Sequence, residues 1–276
     1  MKITFLVDNK TESTRCAAEW GLSILIDDGK QKILMDQGAS PMLLENAKRM
    51  GISLEEVDFA TISHGHYDHS GGTEAFLKLN KKAKVYVHEH APRFSCAQGS
   101  HNIGLPWTDD FLSENKNRIV YTRGRYQIAE GVFLISEVPR LEGYTPTEKF
   151  FIKADGKMVD DTMDHEQTLV IEKDKGLYVF SGCSHQGIVA IVRHIMKLFP
   201  NKRIVALIAG MHLYSAQGQE RMRVIDEIAR MDIDYVFPVH CTGMKAIIEF
   251  KIKMGDRVKI ATAGRIYELP DSFNIK

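Results

Sequence analysis

The chain has 276 residues, 44% of them hydrophobic and 26% charged, a globular composition long enough to bury a large core. Lys plus Arg and Asp plus Glu both number 36, so the overall charge gives no electrostatic reason to expect nucleic acid or an anionic membrane as a partner. The amino-terminal apolar run stops at Asp8 and no later run approaches 18 residues, so neither a secretory signal nor a membrane span is expected. Cys16, Cys96, Cys183 and Cys241 lack the density and paired spacing of a disulfide scaffold or zinc knuckle, and a reducing cytoplasm is the expected location.

Short β-rich runs open the chain at Ile3 to Val7, Leu22 to Asp27 and Lys32 to Met35, the last two joined by the turn Asp28-Gly29-Lys30. Between Pro41 and Met50 the spacing of Met42, Leu43, Leu44, Ala47 and Met50 predicts a helix, stopped by Gly51. A strand over Phe59 to Ser63 follows, then a polar, glycine-rich loop to Gly72, a helix opened by Gly71-Gly72 and running to Leu79, and a strand over Lys84 to His88. The stretch from about 91 to 163 carries Gly, Pro, Asn and charge around short strand-like runs such as Arg118 to Tyr121 and Gly131 to Ile135. It reads as an insertion that could cover a cleft. Strands at Gln167 to Glu172, Leu177 to Ser181, Arg203 to Ala209, Tyr235 to Pro238 and Val258 to Ile260 then alternate with helices at Ile188 to Leu198, Glu220 to Met231 and Lys245 to Met254. The expectation is an α/β fold in a single domain over 1–276, with the insertion near the active site.

The chemistry concentrates in Ser63-His64-Gly65-His66-Tyr67-Asp68-His69-Ser70-Gly71-Gly72, which places three histidines and an aspartate within six residues after a strand. His64 and His66 are one residue apart at the end of an extended segment, so they project to one side and can grip one metal. Asp68 and His69 come next and can reach a second ion. Two ions about 3.5–4 Å apart can share a hydroxide and stabilise a leaving oxygen. A solvated His-rich loop is the bland alternative, and the mix of ligand types with a strand before and Gly-Gly after weighs against it.

His64-x-His66-x-Asp68-His69 resembles the signature of the metallo-β-lactamase superfamily, a motif that indicates a fold better than a substrate. The resemblance implies a four-layer αβ/βα sandwich of two mixed sheets flanked by helices, and two divalent metal ions, zinc in the first instance with iron or manganese as alternatives. It also implies ligands from the second half. His240, in Val236-Phe-Pro-Val-His240-Cys-Thr-Gly243, matches the final histidine motif. In Gly182-Cys183-Ser184-His185, Cys183 stands where many relatives carry a bridging aspartate, and His185 is the favoured remaining ligand. His165, at the spacing where relatives place their own third histidine, competes with His185, and Cys183 is an additional candidate.

Gly21-Leu-Ser, Leu34-Met-Asp36-Gln-Gly38, Ser136-Glu-Val-Pro-Arg140, Gly182-Cys-Ser-His185, Gly210-Met-His212-Leu and His240-Cys-Thr-Gly243 are together similar to a narrower subgroup. It is labelled 7,8-dihydropterin-6-methyl-4-(β-D-ribofuranosyl)aminobenzene-5'-phosphate synthase, and also metal-dependent hydrolase. The implied reaction is attack of metal-activated water on a phosphoryl or carbonyl centre, with Asp68 holding a metal and positioning the nucleophile. The alternative is a transferase condensing a pterin diphosphate with a ribofuranosylaminobenzene phosphate. Asp36 could orient a ligand histidine or cap a turn, His212 could touch substrate, and Arg140 could clamp an anionic group. The expected partner is a small molecule, phosphorylated on the synthase reading, and a homo-oligomer is left open.

Overall fold

The computed structural model describes residues 1–97, 101–154, 156–174 and 176–269. In chain order the strands are β1 (Lys2–Val7), β2 (Ser23–Asp27), β3 (Lys32–Met35), β4 (Phe59–Thr61), β5 (Lys84–His88), β6 (Ser95–Ala97), β7 (Ile119–Thr122) and β8 (Arg125–Ala129). They continue as β9 (Val132–Ile135), β10 (Phe150–Ala154), β11 (Lys157–Asp160), β12 (Thr168–Lys173), β13 (Gly176–Ser181), β14 (Ile204–Gly210), β15 (Ile233–Val239) and β16 (Ile266–Glu268). The helices are α1 (Met42–Arg49), α2 (Tyr67–Ser70), α3 (Thr73–Leu79), α4 (Asp109–Glu114), α5 (Ile188–Leu198), α6 (Gly218–Arg230) and α7 (Gly243–Met254).

Two units make up the chain. The first takes the described residues of Met1–Thr122, Glu148–His165 and Thr262–Pro270, and the second those of Arg123–Thr147 and Glu166–Ala261. In the first, seven strands pair in the order β16-β1-β2-β3-β4-β5-β7, antiparallel from β16 to β3 and parallel from β3 to β7. The β2–β3 turn is held by Gly29 in the left-handed region and by Asp27 and Asp28 side chains accepting the Gly29 and Lys30 amides. The apolar faces of α1, α3 and α4 pack through Leu43, Ala47, Phe76, Leu77 and Phe111 into a core with Leu34, Ala60 and Val85. Thr108 caps α4, its hydroxyl accepting the Phe111 amide at 3.1 Å. A separate three-stranded sheet, β11-β10-β6, completes this unit.

In the second unit six strands pair in the order β15-β14-β13-β12-β9-β8, with β13, β14 and β15 parallel and the rest antiparallel. β13 and β14 are buried throughout, the continuous apolar run expected of a strand covered on both faces. Ile188, Val192 and Ile195 of α5, Val224 and Ile228 of α6 and Ala246 and Phe250 of α7 share a core with Val179, Leu207 and Val236.

Most predicted elements fall within a residue or two of those observed. Two differ. The segment read as an open loop from 63 to 72 contains the helical turn α2, because Gly71 N–H bonds Tyr67 C=O at 2.7 Å and the Ser70 hydroxyl bonds His66 C=O at 2.9 Å. The strand expected at Val258 to Ile260 is a single bridge between Val258 and Val236. The stretch over 91–163 contributes β7 to the seven-stranded sheet, β8 and β9 to the six-stranded sheet, and β6, β10 and β11 to the small one. No helix among the described residues is long and apolar enough to cross a membrane.

Candidate metal centre

The first-unit cluster sits at the carboxyl ends of the parallel strands β3 and β4, the edge where open α/β sheets present ligand-binding loops. His64, His66, Asp68 and His69 are all buried, as are Asp36 and Ser63 beside them. Gly65 between the first two histidines leaves no room for a side chain, since a Cβ there would lie 2.5 Å from Pro92 Cδ and 2.9 Å from Pro92 N.

Asp36 organises the group. It stands after β3 in the left-handed region, φ 54°, a conformation that aspartate tolerates better than most residues. Its Oδ1 accepts the Ser63 amide at 2.7 Å, and its Oδ2 accepts the Ser63 hydroxyl at 2.8 Å and lies 2.6 Å from His69 Nδ1. A carboxylate can only accept, so His69 carries its proton on Nδ1 and turns the lone pair of Nε2 outward. The Ser63 hydroxyl, having given its proton to Asp36, accepts from His64 Nδ1 at 2.9 Å, which leaves His64 Nε2 as a lone pair too. One carboxylate thus sets the tautomers of two histidines.

The donors so exposed have coordination spacing. His64 Nε2 and His66 Nδ1 are 3.1 Å apart, and Asp68 Oδ2 and His69 Nε2 are 3.7 Å apart. Ligands 2.0–2.1 Å from a tetrahedral ion stand about 3.3 Å from each other, so each pair matches one edge of such a polyhedron. With a lone pair on His64 Nε2, the 3.1 Å contact is a hydrogen bond donated by His66 Nδ1. Burial pulls the His66 pKa down to about 3 against the opposing attraction of Asp68, so its ring is neutral at any physiological pH, and a shift of its one proton from Nδ1 to Nε2 would free Nδ1 as a donor.

His165 is placed differently. Its Nδ1 accepts the Gly65 amide at 3.1 Å and its Nε2 lies 3.2 Å from Asp161 Oδ2. Burial alone would raise the Asp161 carboxyl, but the hydrogen bond and charge of His165 outweigh it and hold the carboxyl below its ordinary value. With both ring nitrogens engaged, His165 buttresses the His64–His66 backbone. Phe150 packs on the His66 ring, centroids 5.2 Å apart.

The second-unit cluster occupies the carboxyl ends of the parallel strands β13, β14 and β15, which deliver Cys183 with His185, His212, and His240 with Cys241. All five are buried. Ser184, His212 and His240 have φ of 57°, 49° and 47°, a concentration of left-handed backbone of the kind found at functional turns. Glu166 holds the first turn by accepting the amides of His185 at 2.7 Å and Gln186 at 2.8 Å. The Thr242 hydroxyl ties the other two loops together, accepting the Met211 amide at 3.1 Å and donating to Ala209 C=O at 3.2 Å. The His185 and His212 ring centroids are 4.5 Å apart. Burial would raise the Cys241 thiol, yet a hydrogen bond with Cys183 and the neighbouring His240 and His212 hold it well below the ordinary range. Arg140 lies exposed on the loop after β9.

Sequence reasoning did not find Ser63, Asp161 or Glu166. Ser63 and Glu166 adjoin singled-out histidines, which is a weak signal, and nothing local marks Asp161 as the partner of His165.

Comparisons with known proteins place the fold in a family. The model of the metallo-β-lactamase superfamily matches residues 21–98, the segment that carries the first cluster. A crystal structure of Tm1679, described as a metal-dependent hydrolase of the β-lactamase superfamily, superposes with a TM-score of 0.84 at 31% identity, covering 98% of this chain and 99% of that one. The chain belongs to the metallo-β-lactamase superfamily and has its α/β fold. Within it, the chain is 29% identical to the 7,8-dihydropterin-6-methyl-4-(β-D-ribofuranosyl)-aminobenzene-5'-phosphate synthase of Methanocaldococcus jannaschii, over 90% of each. It is 31% identical to an uncharacterised protein of the same organism, over 89% of this chain and 92% of the other.

Proposed function

We propose that the chain is a cytoplasmic metal-dependent hydrolase of a small phosphoryl or carbonyl substrate, folded as one functional domain over 1–276, with His64, His66, Asp68, His69, His185 and His240 as ligands of two divalent ions, zinc in the first instance. The observation that carries the reading is the Asp36–Ser63 relay, which prepares His64 and His69 as neutral ligands with fixed tautomers. The donor set fits the group, since neutral imidazoles and a carboxylate at coordination spacing suit zinc, iron or manganese. Bound ions would lower the pKa of water towards about 7 and polarise the substrate oxygen.

The protein's own residues then have distinct tasks. Asp68 would orient the attacking water through its carboxylate. Asp36 retains the proton on His69 Nδ1 throughout, so that the ring neither turns nor changes tautomer. His165 and Asp161 hold the Gly65 amide and with it the angle between His64 and His66. His212 and Arg140 would contact the substrate, Arg140 as the partner of an anionic group.

The synthase relative supports a second reading, a transferase that joins a pterin diphosphate to a ribofuranosylaminobenzene phosphate, for which ions held by the same residues would supply charge stabilisation to a pyrophosphate leaving group. Elemental analysis by mass spectrometry of protein purified without added metal, with the His66→Ala and His240→Ala variants and a panel of phosphodiesters and esters, tests the hydrolase. Near two ions per chain, with metal and hydrolysis lost in both variants, is the expected result. Metal below about a tenth of an ion per chain that zinc, iron and manganese fail to restore overturns it. Coupled product from the pterin diphosphate and the aromatic amine, with no hydrolysis of the panel, selects the transferase.

A further inference from the structure

The second-unit cluster contains a sulfur-rich donor set to which the hydrolase reading assigns no metal. Cys183 Sγ, Cys241 Sγ and a ring nitrogen of His212 all lie within 4.8 Å of one another, and the three residues are 3%, 1% and 7% exposed. They come from the ends of three adjacent parallel strands, so their spacing is set by the most rigid part of the unit rather than by a single loop. The backbone is shaped to the sulfur. His212 N–H points at Cys241 Sγ at 3.3 Å, the hydrogen bond that a thiolate would accept, and the left-handed φ of 49° at His212 aims that amide. Gly210 admits the approach, because a Cβ there would fall 2.9 Å from Cys241 Sγ and 2.1 Å from Gly182 O.

We propose that Cys183, Cys241 and His212 form a thiolate site for a thiophilic cation of the zinc, cadmium or copper(I) class. Two sulfurs and an imidazole favour soft or borderline ions over magnesium, calcium and manganese. Three protein ligands leave a fourth tetrahedral position open, the pattern of a site that also takes water or substrate. Each thiol loses its proton to solvent as the ion binds, and no other bond changes. This assignment makes His212 a ligand rather than a substrate contact, and it stands whether or not the chain hydrolyses anything.

The test is X-ray absorption on the full-length chain loaded with zinc, with cadmium titration as a second readout. The expected spectrum has sulfur scatterers at about 2.3 Å, and cadmium should produce a sulfur-to-metal band in the near ultraviolet. Cys183→Ser, Cys241→Ser and His212→Ala should each weaken cadmium binding at least tenfold, while His66→Ala should keep the sulfur shell. A shell of nitrogen and oxygen alone in the wild-type chain overturns the proposal even if a variant fails to fold. So does a Cys183→Ser, Cys241→Ser double variant that binds cadmium as the wild type does. Titration of two thiols instead of four in denaturant, without reductant, would make the pair a disulfide and equally overturn it.

Discussion

Replacing Asp36 with Asn tests the relay with almost no change of volume. The amide can keep its oxygen towards the Ser63 N–H at 2.7 Å, but its NH2 then faces His69 Nδ1 at 2.6 Å and the Ser63 hydroxyl at 2.8 Å. Two donors cannot face each other, so His69 moves its proton to Nε2 and loses the lone pair a ligand needs, and Ser63 must turn its own hydrogen towards His64. All of these groups are shielded from water, so solvent cannot repair the mismatch. Removal of a partner that fixes a ligand histidine costs 10–100-fold in metal affinity, or about 1.4–2.7 kcal/mol, and one mismatched buried donor costs about 1–3 kcal/mol of stability. Competition with a chromophoric chelator measures the first, and denaturant unfolding of the metal-free protein measures the second. A folded Asp36→Asn protein whose zinc affinity stays within twofold of wild type would refute the argument.

Acidification provides an independent check on the buried histidines. Burial holds His66 at about 3 and His88 at about 4, each against an unfolded value of 6.5, so between those values and 6.5 the unfolded chain binds more protons than the folded one. Stability of the metal-free protein should therefore be full above pH 6.5 and fall as the pH drops towards 4, and His88→Gln should flatten that slope in urea titrations at stepped pH; an unchanged slope would contradict the assignment. Gly65→Ala forces a methyl against Pro92 and should destabilise the protein by about 1–3 kcal/mol, seen as a lower Tm, with weaker metal binding at the displaced His64 and His66. Glu166→Ala strands the buried amides of His185 and Gln186 and should cost about 1–3 kcal/mol for each left without a partner, measured by chemical unfolding; Glu166→Gln, which retains one acceptor oxygen, should lose less.

The candidate metal ligands of the first unit were legible because they are neighbours in sequence. His64, His66, Asp68 and His69 span six residues, and the strand before them with Gly71-Gly72 after them states their setting. The elements were legible for a similar reason, since the apolar runs of β13 and β14 and the stripe of α5 are periodic signals within one segment. The helical turn α2 escaped notice because four residues carry too short a pattern to register, and its hydrogen bonds override the loop-like composition.

What sequence alone decided, then, is the family, the types of the candidate ligands and the strand ends on which they stand. Which residue supports which candidate ligand was decided by pairings between distant positions: Asp36 with Ser63 and His69, Asp161 with His165 and Gly65, and Glu166 with His185, while Cys183, His212 and Cys241 are brought together from three strand ends. Hydrogen-bond direction and coordination spacing depend on angles and on tenths of an ångström between side chains that meet only when the sheets form. A linear pattern records the local propensity of each segment, whereas these contacts exist only once tertiary packing has fixed the strand registers.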